Sequence, residues 1–355
     1  MPPLIKSIEA ISTDWIRAIL EPEHEDFGRT IESVAIAKRW KTISSEVAVV
    51  ALETGGGGSD LPKSLFVKIT HPQIGEALEG LIRGKEVEFY NRHSKELPKG
   101  ALLTCHFAEY SEPHRTFNLV FEDLSATHGS TEWPLSPHIH HCEMAMDCLA
   151  GVHAHWWDHP DLETIGKPVS QAESVREFEA FFQANFDEFV KFMGDRLPRN
   201  YRVALALHAE RFEHLSARLF ERGNRTLTHG DSHFWNFLFP NDPSGQAKLF
   251  DWQSYGVGLG TGDLAYMLAM HWYPSRRREF EIPLLEHYHA KLVANGVRDY
   301  DFQDLLRDYR WSILDKLIVP LWQWKVNLSP AIWAGHLERI LLAFEDLDCM
   351  ELLRN

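Results

Sequence analysis

One stretch in the second half of the chain contains three polar residues suited to phosphate chemistry. HGDSHFWN occupies residues 229–236, and LFDWQ follows at residues 249–253. Asn236 offers an amide oxygen and Asp251 a carboxylate, which are the hard oxygen ligands that magnesium prefers. Asp231 is a carboxylate that can orient an attacking hydroxyl and accept its proton. This set is suited to magnesium-assisted transfer of a phosphoryl group from a nucleoside triphosphate to a hydroxyl.

Such a transfer also needs a positioned cation for the α- and β-phosphates, and Lys68 is the candidate. It lies within SLFVKIT, residues 64–70, a predicted strand in which apolar residues alternate. A lysine in an apolar strand needs either a partner or a path to water. The following segment, residues 75–97, has helical periodicity. Glu86 lies on its apolar face and Glu88 on its polar face, so we predict an ion pair between Lys68 and Glu86.

Short predicted strands position these residues. NFLF and AKLF are predicted to form a hairpin through the turn PNDPSG, which returns Asn236 and Asp251 to the same end. Earlier in the chain, IESVAIAKRW, SEVAVVALE, SLFVKIT and FNLVFEDLS have strand character, and ETGGGGSDLPK is typical of an exposed hairpin tip. Beyond FNLVFEDLS the periodicity is mainly helical. We therefore predict an α+β protein with a small antiparallel-sheet lobe, residues 1–125, and a mainly helical lobe, residues 126–355.

The charge balance disfavours nucleic acid as a partner. The chain has 355 residues with 36 Lys plus Arg and 51 Asp plus Glu, so its formal net charge is -15. Residues 1–125 have a net charge of -5 and residues 126–355 one of -10, so the acidity is spread over both predicted lobes. A phosphate backbone requires a basic face, which this composition does not predict.

Cysteine usage and hydropathy bound the class further. The four cysteines form no CxxC pair, which disfavours a zinc ribbon or a disulfide framework. The N-terminal segment contains acidic residues and no apolar run of signal-peptide type, and no stretch reaches the length of a membrane span. The expectation is a cytoplasmic protein without a membrane partner. The oligomeric state cannot be predicted from these features.

The sequence resembles the aminoglycoside phosphotransferase/choline kinase superfamily, and most closely its uncharacterised phosphotransferase and ecdysteroid-kinase-like members. The resemblance rests on HGDSHFWN, LFDWQ and GDLAYML, with support from EVEFY, FEDLS and LAGVHAHWW, and covers residues 31–345. It implies a two-lobed protein-kinase-like fold. The glycine after His229 stands where protein kinases have arginine, which favours a small-molecule kinase over a protein kinase.

The resemblance also implies roles for individual residues. Lys68 would contact the α- and β-phosphates and Glu86 would pair with it. Asp231 would be the catalytic base, and Asn236 and Asp251 would be the magnesium ligands. Asp263 would hold the catalytic loop by hydrogen bonds, as a mainly structural residue.

Two parts of the expected nucleotide site, the phosphate loop and the adenine contact, have no distinctive sequence motif. The loop between the first two strands, RWKTISSEVAVV, contains no glycine, so Thr42, Ser44 and Ser45 would grip phosphate through N–H groups and hydroxyls. The FEDLS segment with Glu122, and the linker after it, would carry the adenine contact. DWQ replaces the DFG of protein kinases, so no activation-loop switch is expected.

The expected function is transfer of the γ-phosphate of ATP, with GTP as a possible donor, to a hydroxyl of a small molecule with the help of Mg²⁺. Aminoglycoside-, choline- and sterol-like acceptors all remain open. The main alternative is a degenerate kinase-fold protein that binds a nucleotide or metabolite without catalysis. Hydrolysis of nucleotide without an acceptor is a further alternative.

Overall fold

The structure is a computed structural model that describes most of the chain. The described residues are 2–20, 31–42, 44–55, 62–70, 84–97, 100–165, 171–211 and 223–354, without the side chains of residues 171–179. The tip of the glycine-rich loop and the first half of the helix predicted from residue 75 lie outside them. The chain divides into two compact units, residues 1–130 with 238–254 and residues 131–237 with 255–355. The lobe boundary after residue 125 stays a prediction.

Within the described ranges, ten strands form three sheets, and the five-stranded sheet is antiparallel throughout. The largest has five strands in the order β1-β2-β3-β5-β4, the second pairs β10 with β7, and the third has the order β6-β8-β9. The predicted small antiparallel sheet is thereby confirmed. The strand bounds are β1 Ile31–Lys41, β2 Ser45–Thr54, β3 Ser64–Thr70, β4 Cys105–Ser111, β5 Thr116–Glu122, β6 His128–Gly129, β7 Arg225–Thr228, β8 Phe237–Pro240, β9 Lys248–Leu249 and β10 Gly256–Leu259.

Helices dominate the second unit. The first unit contains α1 and α2, and the second contains α3 to α11 together with a π-helical turn, Ala265–Met270. The α+β class is thus confirmed. The helix bounds are α1 Thr13–Leu20, α2 Lys85–Arg92, α3 Ile139–His155, α4 Gln171–Met193, α5 Arg199–Glu210, α6 Thr261–Leu264, α7 Pro274–Ala294, α8 Phe302–Lys316, α9 Val319–Lys325, α10 Pro330–Asp346 and α11 Met350–Arg354.

Alternation along β3 separates a core face from a polar face. Leu65, Val67 and Ile69 are fully buried in one apolar cluster with residues of α1, including Trp15. Because successive side chains in a strand point to opposite faces, Lys68 lies on the other face. Lys68 pairs in register with one residue on β2 and one on β5, so it is held in the interior of the sheet.

The second unit is built around a short strand pair and packed helices. β10 pairs with β7 through the registers Gly256↔Thr228 to Leu259↔Arg225, and α6 begins directly after β10. Asp147 of α3 accepts from His287 and Lys291 of α7, which ties these two long helices together. Among the helices that the structure describes, none combines the length and apolar character required to cross a membrane.

Candidate active site

Lys68 is held by two carboxylates within the first unit. Its Nζ donates to Oε2 of Glu86 and to Oδ1 of Asp251, each at 2.6 Å. Lys68 is 8% exposed and Glu86 is 6% exposed. The structure therefore brings together three residues that the sequence singled out, from β3, from α2 and from the segment after β9.

The charges of this cluster depend on one another. Burial alone would favour a neutral amine, but the Asp251 and Glu86 carboxylates outweigh it and raise the pKa of Lys68 above its ordinary value. Burial raises the pKa of Glu86 to about 7, with the Asp251 charge acting in the same direction and Lys68 opposing it. A cation bound beside these carboxylates would act in the same direction as Lys68 and favour the ionised form of Glu86.

The backbone around Asp251 is fixed by α2. Asp251 has φ +67, a left-handed conformation that is uncommon outside glycine and tends to occur at functional sites. The adjacent Trp252 is fully buried, and its ring stacks on Phe89 at 4.0 Å with an interplanar angle of 5°. The Trp252 backbone N–H also donates to Glu86. One turn of α2 thus holds both the partner of Lys68 and the residue that follows Asp251.

In the second unit, Asp263 anchors the loop HGDSHFWN. Its carboxylate accepts from the backbone N–H groups of His229, at 2.7 Å, and Gly230, at 2.8 Å. Nε2 of His153 lies 3.1 Å from the same carboxylate. Burial favours the protonated acid, but the hydrogen bond and charge of His153 and the contribution of His229 outweigh it and lower the pKa of Asp263 to about 2. Asp263 is therefore an ionised, loop-holding residue.

The loop itself needs its glycine. Gly230 has φ +81, a conformation that carries little cost only for glycine. Behind it, the Ser232 hydroxyl donates to the backbone carbonyl of Asp263 at 2.8 Å, which also explains why Ser232 is fully buried. These contacts set the direction in which Asp231 leaves the backbone.

Asp231 presents a partly exposed carboxylate surrounded by polar groups. Its side chain is 24% exposed. Nδ2 of Asn236 donates to its backbone carbonyl at 2.8 Å and lies 3.5 Å from Oδ2. Nε2 of His233 lies 3.7 Å from Oδ2. Burial, followed by the charge of Asp231 and a hydrogen bond to it, raises the pKa of Tyr266 well above its ordinary value. The carboxylate is thus oriented by three side chains and still accessible.

Each of the two predicted magnesium ligands, Asn236 in the second unit and Asp251 in the first, has an oxygen donor of the kind that magnesium prefers. Asn236 uses its amide nitrogen on Asp231, which leaves the amide oxygen as the atom suited to coordination. Within the described ranges, no three His, Cys, Asp or Glu side chains are grouped so as to hold a metal. Magnesium commonly binds through one or two protein oxygens, with phosphate and water completing its octahedron. Asn236 and Asp251 offer oxygens of that kind.

The remaining predicted nucleotide residues have structural partners. Ser45 is fully buried, and its N–H donates to the Thr42 hydroxyl at 2.9 Å, so both residues close the β1–β2 turn. The Ser44 hydroxyl lies 3.2 Å from that of Ser45. Glu122 accepts from the Thr104 N–H at 2.8 Å and lies 3.8 Å from Nζ of Lys248. A phosphate-gripping role for the serines and an adenine role for Glu122 stay predictions.

Sequence reasoning assigned no role to three features near Asp231. Tyr266 lies in the GDLAYML motif, but its approach to Asp231 depends on the π-helical turn. His233 lies within HGDSHFWN, but its approach to Asp231 depends on how the loop folds. Lys316 ends α8 beside the loop-holding Asp263. The sequence feature that could have indicated a role for Lys316 is the charged pair Asp315-Lys316 within the otherwise apolar run WSILDKLIVP.

Comparison with solved structures identifies the fold. A protein assigned to the aminoglycoside phosphotransferases, from Ralstonia eutropha JMP134, aligns with a TM-score of 0.54 at 13% identity, covering 94% of this chain and 98% of that one. Aminoglycoside 2'-phosphotransferase-IIIa in its GDP complex aligns with a TM-score of 0.52 at 13% identity, covering 94% and 97%. The architecture is the two-lobed protein-kinase-like fold, as predicted.

The sequence itself identifies the family. Residues 44–298 match the ecdysteroid kinase-like family, and the chain therefore belongs to that family. This confirms the resemblance drawn from HGDSHFWN, LFDWQ and GDLAYML. No curated protein matches the chain.

Proposed function

We propose that this protein is an ATP-dependent phosphotransferase that moves the γ-phosphate to a hydroxyl of a small molecule. The observation that carries the proposal is the buried Lys68 ammonium between Glu86 and Asp251. Burying a charged cluster costs free energy, and strongly perturbed titratable groups concentrate at functional sites. A fixed ammonium beside a carboxylate is what a nucleotide phosphate chain with its metal requires.

In this proposal the first unit supplies the nucleotide contacts. Lys68 binds the α- and β-phosphate oxygens, and Glu86 keeps the ammonium directed toward them. Asp251 and Asn236 are the proposed magnesium ligands. When bound, magnesium neutralises charge on the phosphate oxygens. A cation taken up together with the nucleotide would favour the ionised form of Glu86.

The second unit supplies the acceptor chemistry. Asp231 orients the acceptor hydroxyl and takes its proton late in the transfer, which requires the partly exposed carboxylate. Asn236, His233 and Tyr266 restrict its orientation. Asp263 acts through the backbone of the loop and does not touch the reacting atoms. Most of the rate enhancement would come from positioning and charge neutralisation.

The phosphate donor is proposed as a particular nucleotide, and the phosphate acceptor as a class of small molecules. ATP is the proposed donor. GTP stays the alternative, because aminoglycoside 2'-phosphotransferase-IIIa was solved in a GDP complex. A second neighbour was solved in a complex with GDP and kanamycin. It aligns with a TM-score of 0.50 at 12% identity, covering 94% of this chain and 98% of that one. The acceptor belongs to the hydroxylated small molecules, with aminoglycoside-, choline- and sterol-like compounds as the range to test.

A screen for acceptor-dependent ADP release tests this function. Purified protein with Mg²⁺ and ATP is mixed with hydroxylated metabolites and antibiotics, and ADP is compared with an acceptor-free reaction. The proposal expects at least one compound to raise ADP release and to gain a phosphate by mass spectrometry. ATP binding with no release in any reaction would favour the binding-only alternative, and release that no acceptor increases would favour nucleotide hydrolysis.

A further inference from the structure

A cavity in the second unit is lined in part by Gly230, the residue before Asp231. It has a volume of about 170 Å³ and is bounded on one side by the last turn of α8, with Ser312, Asp315 and Lys316. The other side is formed by β7, β10 and the start of α6, including Thr228 and Gly258. We call it the α8 cavity. All of its lining residues are described.

The α8 cavity carries opposite charges side by side. Nζ of Lys316 donates to Oδ2 of Asp315 at 2.8 Å. The Lys316 side chain is 18% exposed to solvent and the Asp315 side chain is 39% exposed. Burial opposes the charge on Lys316, but the Asp315 and Asp263 carboxylates outweigh it and raise the pKa of Lys316. The ammonium is therefore present at neutral pH.

Lys316 has N–H donors that no described residue accepts. An ammonium has three N–H donors, and among the described residues one of them is donated to Asp315. The other two donors are available to whatever fills the cavity, either water or a ligand. The Ser312 hydroxyl is already shared with Thr261 at 2.8 Å. Lys316 and Asp315 are thus the groups that face an occupant.

Glycines keep the opposite wall open. Gly230, Gly258 and Gly262 all line the cavity. A Cβ added at Gly258 would meet only the Thr228 methyl group, at 3.8 Å, and one added at Gly262 would meet Nζ of Lys316 at 3.9 Å. The space beside Lys316 therefore exists because these positions lack side chains.

The size and charges together select a ligand class. A cavity of roughly 150 Å³ holds one six-membered ring. Adjacent ammonium and carboxylate groups suit a hydroxyl, which accepts from one and donates to the other. Lys316 and Asp315 neutralise each other, and the Asp263 carboxylate is already held by His153 and two backbone N–H groups, so the cavity favours a neutral ligand.

We propose that the α8 cavity is a binding subsite for a neutral hydroxylated ring, with the paired Lys316 and Asp315 as its hydrogen-bonding groups. The proposal rests on the proposed function only in calling the bound molecule the acceptor. Gly230 in the wall directly precedes Asp231, so a ring bound here lies against the loop that carries the catalytic carboxylate.

Three probes with one ring and different charges test the proposal. Glucose, glucosamine and glucuronate are neutral, cationic and anionic at neutral pH, and myo-inositol is a second neutral ring. Binding to the full chain is measured by ligand-observed NMR without nucleotide, so the result does not depend on phosphate transfer. We expect a neutral ring to bind about tenfold more tightly than either charged probe.

Two variants and a control locate the site. Lys316→Met removes the donor and Gly258→Ala reduces the space, and each should weaken binding of the neutral ring by about tenfold or more. Lys325→Met, at a lysine paired with Glu188 on the surface, should leave it unchanged. Thermal unfolding checks that the variants fold. Failure of both neutral rings to bind, equal binding of all three charge types, or full binding by both cavity variants would overturn the proposal.

Discussion

Lys68 combines two properties that seldom occur together, a charge and a central position in a sheet. Its ammonium contacts carboxylates from α2 and from the segment after β9, which are far apart in the chain. Removing the ammonium leaves the buried Glu86 carboxylate and the partly exposed Asp251 carboxylate without their shared partner, and in the proposed function it also removes the cation that contacts the nucleotide phosphates. The effect of a substitution should therefore appear first in nucleotide binding.

Lys68→Met is expected to weaken binding of Mg-ATP by about tenfold or more, since a buried charge-assisted contact contributes more than one kcal/mol. The measurement is a calorimetric titration of nucleotide into wild type and variant. Lys38→Met, at an exposed lysine on β1 of the same sheet, is the control and should bind as wild type does. Equal affinities in all three proteins would refute the Lys68–Glu86 role.

Residue-level prediction succeeded where local pattern determines the environment. Helical periodicity alone separated the buried Glu86 from Glu88, which pairs with Arg92 on the surface. Local pattern did not predict the positions of Tyr266 or Lys316, because their surroundings depend on contacts between segments that are distant in the chain. Nor did the local pattern reveal that Asp251 adopts a left-handed backbone next to Trp252, whose ring stacks on Phe89.

At the scale of elements, the loop 229–236 is shaped from behind by α6. Asp263 binds two successive backbone N–H groups, and the left-handed Gly230 turns the chain so that both can reach one carboxylate. The strands predicted from alternation were found, including the β8 and β9 neighbours. The pairing of β7 with β10 was not predicted, because four-residue strands carry too little pattern to name a partner.

Gly230→Ala tests this loop geometry without removing any functional side chain. A Cβ at positive φ costs about 1–2 kcal/mol, and relief of that strain should rotate the N–H groups away from Asp263. We expect turnover with an established acceptor to fall by about tenfold or more, measured alongside the free energy of unfolding.

The matched control is Gly296→Ala. Gly296 also has positive φ, at +107, and an added Cβ there meets nothing within 4 Å. It should lose similar stability and retain its turnover. If both variants keep full turnover, the loop does not depend on the Gly230 conformation.

At the scale of the whole molecule, two buried histidines make the folding stability depend on pH. Burial lowers the pKa of His208 to about 4, although Asp315 and a Leu314 backbone contact oppose it. Burial likewise lowers the pKa of His336 to about 4, with Arg339 and His233 adding to the effect. The unfolded chain binds these protons near pH 6.5, so it holds more protons than the folded chain between pH 6.5 and 4.

Folding stability should therefore be complete above about pH 6.5 and decline as the pH falls toward 4. His208 alone should lower the free energy of unfolding by about 2 kcal/mol between pH 7.5 and pH 5. Urea unfolding at both pH values measures this difference. In His208→Gln the difference should shrink by about that amount. An unchanged pH dependence in the variant would show that His208 does not contribute.

The central claim is that Asp231 performs the acceptor chemistry of a phosphotransferase. The most direct measurement compares phosphorylation of an acceptor found in the screen by wild type and by Asp231→Asn, with ATP affinity measured on the same samples. We predict that ATP affinity is retained while turnover falls by about 100-fold or more, because the amide cannot accept the hydroxyl proton. Undiminished phosphorylation by Asp231→Asn would contradict the account.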